Sequence, residues 1–387
     1  MIRIDRQGEP APLRADRSNW RDAPYSRWAF SHMPEVIASA PIAPASDPRP
    51  LPEAAADLSG FSVPAADGAV LNLAAWLDAT ATDAIVVLKD GKLVFEAYAD
   101  PCGPRQAHIF MSATKSVTGL VLGLLAEAGR LDVDAPVETY VPEVGAGPYK
   151  GVALRWLADM RSAVPYDADR LAAYAAASGW EARSETRADL AAFYARLDGP
   201  PAQPPSPFEY LSGNTDLLGV AIERASGRTF AALAEDLIWR PMGAADTAFM
   251  TLDEAGSPRC TGGFSATARD MARLGLLVAE NGARDGRQIL PAAWLTDMRE
   301  GGDREAWSTG QWAPAFQGRV TRYRSGWYIN DGPPAMMFAM GVNGQNLFVD
   351  QAAGLVVAKL SSQAQFFDFA ADRLTHAGVA ELRRRLV

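Results

Sequence analysis

The sequence has few of the residues on which common hydrolytic and metal sites depend. It contains three histidines, His32, His108 and His376, and their spacing matches no zinc-ligand pattern. None of its serines lies in a Gly-x-Ser-x-Gly elbow, so the α/β-hydrolase signature is missing. The two cysteines, Cys102 and Cys260, are too few for a disulfide framework, and we interpret them as free thiols in a reducing compartment. The sequence therefore predicts neither a metal nor a cofactor.

Basic charge and long apolar runs are also lacking. The net charge is -9, so no basic surface is available to release counterions from nucleic acid or from an anionic membrane. No apolar run is long enough to span a bilayer. The first residues, 1–6, contain no apolar stretch of the kind found in secretory signals. We therefore expect a cytoplasmic protein with neither a membrane nor a nucleic-acid partner.

Lysine is scarce, and one lysine has an informative neighbour. The five lysines are Lys89, Lys92, Lys115, Lys150 and Lys359, and only Lys115 follows a serine, Ser112, by three residues. Positions i and i+3 share one face of an α-helix, so the two side chains can lie in one small pocket. A neutral lysine there could take the serine proton and make Ser112 a nucleophile.

The residues after Lys115 predict a buried helix. Apolar side chains recur at i, i+3, i+4, i+7 and i+8 over residues 117–125, and Gly129 ends the pattern. We expect this helix to lie under a sheet and to bury Lys115 at its N-terminus. Burial would lower the pKa of the lysine, as a general base requires.

Strand patterns at both ends of the chain predict an α+β fold. Asp90-Gly91 separates two β-rich runs, 84–89 and 92–98, and indicates a hairpin. Three further strands are expected at 335–342, 346–350 and 355–360, followed by a helix over about 368–385. We therefore predict an antiparallel sheet flanked by helices. The expected organisation is a proline-rich arm packed on the body (1–60), a sheet domain (61–145 and 290–387) and an inserted, mostly helical domain (146–289).

A second informative stretch is Phe208-Glu209-Tyr210-Leu211-Ser212-Gly213-Asn214. Prolines interrupt the chain just before it, and helices are predicted over 214–225, 229–239 and 268–279. A tyrosine at such a break could present its phenol to a cleft. Taken alone, Tyr210 is more often a packing residue.

Together with Met111-Ser112-Ala113-Thr114-Lys115, this stretch resembles the serine β-lactamase and penicillin-binding superfamily. The sequence is most similar to the class C-like carboxylesterases and 6-aminohexanoate-dimer hydrolases of that superfamily. Further similar blocks follow in the family's order, at 129–137, 227–230, 240–243 and 262–273. The resemblance covers residues 83–362. It implies a β-lactamase/D,D-peptidase-like fold and a serine hydrolase that forms an acyl-enzyme.

The resemblance also implies roles for individual residues. Ser112 would be the nucleophile, and Lys115 and Tyr210 would share its proton. The family's third motif matches in part at Ala339-Met340-Gly341, and the N–H groups of Ser112 and Val342 would form the oxyanion hole. Candidate substrate-binding residues lie in matching segments and are listed here: Tyr166, Arg170, Trp180, Ser212, Asn214, Trp327, Gly341 and Asn343.

Two departures from the family pattern narrow the function. Ser212 stands where the family often has asparagine, and Ala339 replaces a lysine or histidine that grips a substrate acid. The second departure argues against a β-lactamase. We therefore expect a hydrolase of small carboxylic esters or linear amides. The chain could also form a homodimer. A non-catalytic binding protein on the same fold is the alternative, and the intact set of Ser112, Lys115 and Tyr210 favours the enzyme.

Overall fold

The computed structural model describes residues 2–4, 14–182, 185 and 187–387. Pro10 and Pro12, which we assigned to the proline-rich arm, lie outside the described residues. Within those residues, no helix has the length and apolar character needed to cross a bilayer. The helices are α1 (Ser26–Ala29), α2 (Met33–Val36), α3 (Leu73–Ala79), α4 (Thr114–Glu127), α5 (Leu154–Ala158), α6 (Ala168–Ala177), α7 (Leu190–Ala195), α8 (Ser212–Ser226), α9 (Phe230–Ala234), α10 (Ala268–Ala279), α11 (Ala292–Glu300), α12 (Arg304–Ser308), α13 (Ala313–Phe316) and α14 (Phe369–Leu386). The strands are β1 (Ile2–Ile4), β2 (Ser39–Ile42), β3 (Val63–Pro64), β4 (Val70–Leu71), β5 (Thr82–Lys89), β6 (Lys92–Ala99), β7 (His108–Ile109), β8 (Ala248–Thr251), β9 (Phe264–Ala266), β10 (Ala283–Arg284), β11 (Arg287–Gln288), β12 (Arg322–Arg324), β13 (Trp327–Asn330), β14 (Met336–Gly341), β15 (Gln345–Asp350) and β16 (Leu355–Ser361).

The hairpin predicted from Asp90-Gly91 is confirmed. Strands β5 and β6 pair antiparallel, with Lys89 opposite Lys92. Asp90 has φ 49° and Gly91 has φ 74°, so both turn residues adopt the left-handed region. That region is what a tight two-residue hairpin turn requires, and aspartate and glycine adopt it readily.

Strands from both ends of the chain form one sheet, as predicted. In the part of the chain that the structure describes, this sheet has eight strands in the order β1-β6-β5-β16-β15-β14-β13-β12. Neighbouring strands pair antiparallel, except that the edge strand β1 lies parallel to β6. The parallel edge was not anticipated, because three residues carry too little pattern to predict a strand.

Both faces of the sheet are buried, and alternate residues of each strand serve different cores. Val86 of β5 packs in the core that includes Val117 of α4, whereas its neighbour Val87 packs with Leu382 of α14. This is the alternation that a pleated strand imposes. Helix α10 lies on the first face, since an added Cβ at Gly275 would be 2.6 Å from Val356 Cγ1. The sheet layer therefore includes α10, which we had placed in the helical domain.

A second, smaller sheet joins segments that are far apart in the sequence. Its order is β2-β8-β9-β7, so a strand of the N-terminal arm pairs with strands of the region expected to be mostly helical. These strands have two to four residues, too few to show the alternation on which a strand prediction rests. Because β7 pairs with β9, the segment before Ser112 lies beside the loop that precedes Phe264.

The helices predicted for the middle of the chain are present. Helix α8 covers the predicted 214–225 and ends at Gly227, whose φ of 67° is the left-handed conformation expected of a terminating glycine. The predicted helix over 229–239 is α9, which continues as a π-helical turn over Glu235–Trp239. Helix α8 thereby fixes the position of Tyr210, two residues before its start.

Glu223 of α8 gives a stability prediction. Burial raises the pKa of its carboxyl from 4.5 to about 7, and the Phe230 N–H, which donates to Oε1 at 2.7 Å, partly offsets this. Because the folded-state pKa lies above the ordinary value, the stability that the Glu223 carboxyl contributes is fully present below pH 4.5 and is lost as pH rises through about 7. Glu223→Gln keeps the acceptor and removes the charge. We expect it to raise the free energy of unfolding by about 1–3 kcal/mol at pH 8.

At pH 4.5 or below, the same substitution is expected to leave stability nearly unchanged, since the native glutamate is then protonated. Urea unfolding of both proteins at the two pH values measures the difference. An equal effect at both pH values would contradict a raised pKa for Glu223.

Candidate active site

Ser112 lies on a strained turn at the start of α4. The turn is a single 3-10 turn, Met111–Ala113. Met111 has φ 47°, a backbone conformation that residues other than glycine rarely adopt. The surrounding structure holds Met111 in this conformation. Its side chain is buried, and the N–H of the preceding residue, Phe110, donates to the Phe264 carbonyl at 2.8 Å. Such strain is concentrated at functional sites, where the surrounding structure can impose it. The turn directs the partly buried Ser112 side chain toward Lys115.

Lys115 is buried and lies within reach of Ser112. Its Nζ donates to Ser112 Oγ at 3.1 Å and to the Thr261 carbonyl at 2.9 Å. Burial lowers the pKa of Lys115 well below its usual value, and the positive charge of Arg259 lowers it further. Because both effects disfavour the ammonium form, the amine is poised to accept a proton from the Ser112 hydroxyl.

Tyr210 completes a three-residue cluster with Ser112 and Lys115. Lys115 Nζ lies 4.7 Å from the centroid of its ring, and the side chains of Ser112 and Ser212 interact with its hydroxyl. Burial raises the pKa of Tyr210 above its usual value, and those interactions and Arg259 partly oppose the rise. The phenol is therefore protonated at neutral pH, so it can donate a proton to a leaving group.

An aromatic wall supports Tyr210, and the sequence did not indicate it. The ring of Tyr210 stacks on Trp312 with centroids 4.1 Å apart, and its N–H donates to Gln311 Oε1 at 3.0 Å. Phe367 contacts Trp312 edge-on, with ring centroids 5.3 Å apart. Phe366 and Phe367 are exposed and line one cavity with Gly341 and Val342, so the wall presents apolar surface near the end of β14. No motif marks Trp312, because stacking across 102 residues of sequence leaves no local pattern.

The end of β14 packs directly on the nucleophile turn. A Cβ added to Gly341 would lie 2.4 Å from the Phe110 carbonyl oxygen and 2.9 Å from the Ser112 nitrogen. Only glycine allows two backbones to approach this closely. Val342 follows at once and packs in the same apolar cluster as Met111. The contact therefore places the end of β14, immediately before Val342, against the backbone of Ser112.

The structure separates two residues that we had grouped as candidate substrate contacts at the start of α8. The side chain of Ser212 reaches the Tyr210 hydroxyl, whereas Asn214 is fully buried. Asn214 Oδ1 accepts hydrogen bonds from Tyr149 at 3.2 Å and Ser162 at 3.1 Å. Two residues turn a helix by about 200°, so Asn214 faces the opposite side of α8 from Ser212. Asn214 therefore packs inside the protein in this structure, and its role in substrate binding stays a prediction.

Two tryptophans predicted for the rim of the cleft are also buried. Trp327 has no exposed surface, because its strand β13 lies between β12 and β14 within the sheet. Trp180 is 7% exposed, and its Nε1–H donates to Thr251 Oγ1 at 3.0 Å. Trp180 packs in the apolar cluster that contains Met111 and Val342, so it supports the residues on either side of the nucleophile turn.

Two of the three remaining candidates, Arg170 and Asn343, serve the surrounding structure. The Arg170 guanidinium donates to the Pro165 and Asp198 carbonyls, which ties a loop together instead of leaving the cation for a substrate. Asn343 is buried with φ 59°, and its Nδ2 donates to the Gln363 carbonyl at 2.8 Å. Tyr166 stays next to the site. Its ring lies against Gly213, and its hydroxyl is 3.1 Å from that of Tyr149.

The fold is that of the β-lactamases and penicillin-binding proteins, and the family and its homologues indicate a hydrolase of the serine β-lactamase type. The chain belongs to the Beta-lactamase family, whose model matches residues 73–381. It is 31% identical over 352 residues to the 6-aminohexanoate-dimer hydrolase of Paenarthrobacter ureafaciens, covering 89% of this chain and 87% of that protein.

Solved structures agree with this family. A structure from Bacillus anthracis, assigned by name to the 6-aminohexanoate-dimer hydrolases, is similar with a TM-score of 0.86 and 26% identity, covering 98% of this chain and 99% of the other. A family VIII carboxylesterase has a TM-score of 0.55 and 17% identity, covering 77% and 92%. The second similarity shows the shared fold alone.

Proposed function

We propose that the protein hydrolyses small carboxylic esters or linear amides through an acyl-enzyme on Ser112. The observation that carries the proposal is the buried Lys115 amine, 3.1 Å from Ser112 Oγ and with a lowered pKa. An amine that resists protonation can act as general base for a serine hydroxyl, which is a weak nucleophile by itself.

The reaction would proceed in two steps. Ser112 Oγ attacks the substrate carbonyl while its proton passes to Lys115, and the N–H groups of Ser112 and Val342 bind the oxyanion. The bond to the leaving alcohol or amine then breaks, and the Tyr210 hydroxyl supplies the leaving group with a proton. Tyr210 regains that proton from Lys115. Water attacks the acyl-enzyme by the same route in reverse, which releases the acid and frees Ser112.

The surfaces around Ser112 favour an apolar substrate without a β-lactam acid. Ala339, which stands where the family often has a cation, is buried in the middle of β14. The aromatic wall of Trp312 and Phe367 instead offers contact to an aliphatic or aromatic chain. The relative from Paenarthrobacter ureafaciens is named for a 6-aminohexanoate dimer, whose aliphatic chains such a surface would also contact.

Turnover and active-site labelling test this proposal. Purified protein is incubated with p-nitrophenyl butyrate, the linear 6-aminohexanoate dimer and nitrocefin, and separately with a fluorophosphonate probe. We expect hydrolysis of the ester or the amide, no hydrolysis of nitrocefin, and a single label that mass spectrometry locates on Ser112. Ser112→Ala, the matched control, is expected to lose both turnover and label. A wild-type protein that neither turns over these substrates nor takes the label would overturn the proposal.

A further inference from the structure

A buried ion pair lies behind Lys115, on the far side of the Thr261 carbonyl. Arg259 and Asp216 form this pair, and their side chains are 8% exposed and fully buried, respectively. The Arg259 guanidinium lies against the rings of Tyr174 and Trp180, 4.8 and 5.0 Å from their centroids. Removing two charges from water is costly, so a buried pair of this kind adds little to stability by itself.

The pair is connected to Lys115 by a continuous chain of hydrogen bonds. Asp216 Oδ2 accepts from Arg259 and from the Tyr174 hydroxyl, the latter at 2.6 Å. Asp216 Oδ1 accepts from the Thr261 N–H at 2.8 Å. The carbonyl of the same residue, Thr261, accepts from Lys115 Nζ at 2.9 Å. Asp216 therefore fixes the residue whose carbonyl holds the amine.

The proposed function does not by itself require this ion pair, since Ser112, Lys115 and Tyr210 supply every proton transfer. We propose that Arg259 and Asp216 are positioning residues that fix the Thr261 carbonyl against Lys115 and hold a permanent positive charge near its amine. The inference rests on the proposed role of Lys115 as general base.

The charges around Lys115 determine the expected direction of each effect. The nucleophile turn contributes the Ser112 hydroxyl, the segment before α8 contributes the Tyr210 phenol, and the loop before β9 contributes the Thr261 carbonyl and Arg259. Asp216 of α8 neutralises Arg259 in part. Loss of Arg259 would favour the protonated amine, whereas loss of the Asp216 charge would leave Arg259 uncompensated and disfavour it.

The acid limb of the kcat/KM profile against pH tests the proposal in solution. For Arg259→Gln we expect this limb to move to higher pH by about one unit. Asp216→Asn is expected to move it to lower pH and to reduce the plateau, because the Thr261 carbonyl is then less firmly held. Arg259→Lys retains the cation and should return the limb toward its wild-type position.

The double variant Arg259→Gln/Asp216→Asn is the control for misfolding, because it leaves no buried charge without its partner. Its acid limb is expected between those of the wild type and Arg259→Gln. A purely structural pair would lower the plateau of every variant and leave the limb in place. That result, or shifts of both single variants in one direction, would overturn the proposal.

A second measurement does not depend on turnover. The chain has five lysines, so 13Cε-lysine NMR can follow Lys115 directly, with Lys115→Met to assign its signal. We expect the Lys115 signal to titrate at a higher pH in Arg259→Gln than in the wild type. If no substrate is hydrolysed but this shift occurs, the proposed function fails and the positioning role stands. If substrates are hydrolysed and the signal does not shift, the positioning role fails alone.

Discussion

Lys115→Met is expected to reduce acylation of Ser112 by about a hundred- to ten-thousand-fold, the range that a general base contributes. The amine accepts the serine proton in the proposed reaction, and no other lysine follows a serine by three residues. Methionine fills most of the volume of lysine, so it leaves no large cavity in the buried pocket. The rate of fluorophosphonate labelling measures attack by the Ser112 hydroxyl, the event that it shares with acylation, without requiring later steps.

The fold of this variant should remain intact. Lys115 is buried and its pKa is lowered, so the native state gains little from its charge. The Thr261 carbonyl loses a donor, which costs about 1–3 kcal/mol if no water replaces it. Lys150→Met, at an exposed position, is the matched control and should label at the wild-type rate. Labelling of Lys115→Met within a few-fold of the wild-type rate would remove lysine from the mechanism.

The features predicted correctly from the sequence are those determined by neighbouring residues. The spacing of Ser112 and Lys115 fixes their common face within one helical turn, and Asp90-Gly91 fixes the hairpin through backbone conformation alone. Helix α10 has the bounds that its apolar pattern predicts. In each case the physical cause lies within a few residues of its effect.

The features that the sequence did not predict depend on packing between distant segments. The burial of Asn214 was not predicted because it depends on which side of α8 faces the cleft, and Asn214 lies about 200° around the helix from Ser212. Trp327 was misplaced because its burial depends on strands on both sides of β13. Arg259 and Asp216 are 43 residues apart, and an arginine in an acidic sequence is usually a surface residue. Nothing local distinguishes a buried ion pair from two exposed charges.

Gly341→Ala is expected to lower kcat/KM by about a hundred- to a thousand-fold, comparable to the loss of one oxyanion-hole donor. Gly341 has φ −131° and ψ 151°, an extended conformation that alanine adopts without strain, so the effect must come from space. The added Cβ would lie 2.4 Å from the Phe110 oxygen, 2.9 Å from the Ser112 nitrogen and 3.0 Å from Met111 Cβ. The first two are backbone atoms and cannot rotate away.

The strand end and the nucleophile turn must therefore separate, and the N–H groups of Ser112 and Val342 separate with them. The turn has little freedom to adapt, because Met111 is already in a strained conformation. Because an oxyanion hole acts on the transition state, the loss should appear in kcat more than in KM for p-nitrophenyl butyrate. Gly103→Ala is the matched control, since its added Cβ would meet nothing within 4 Å. If Gly341→Ala retains turnover within twofold of that control, the close contact between β14 and Ser112 does not build the oxyanion hole, and another N–H must take the place of Val342.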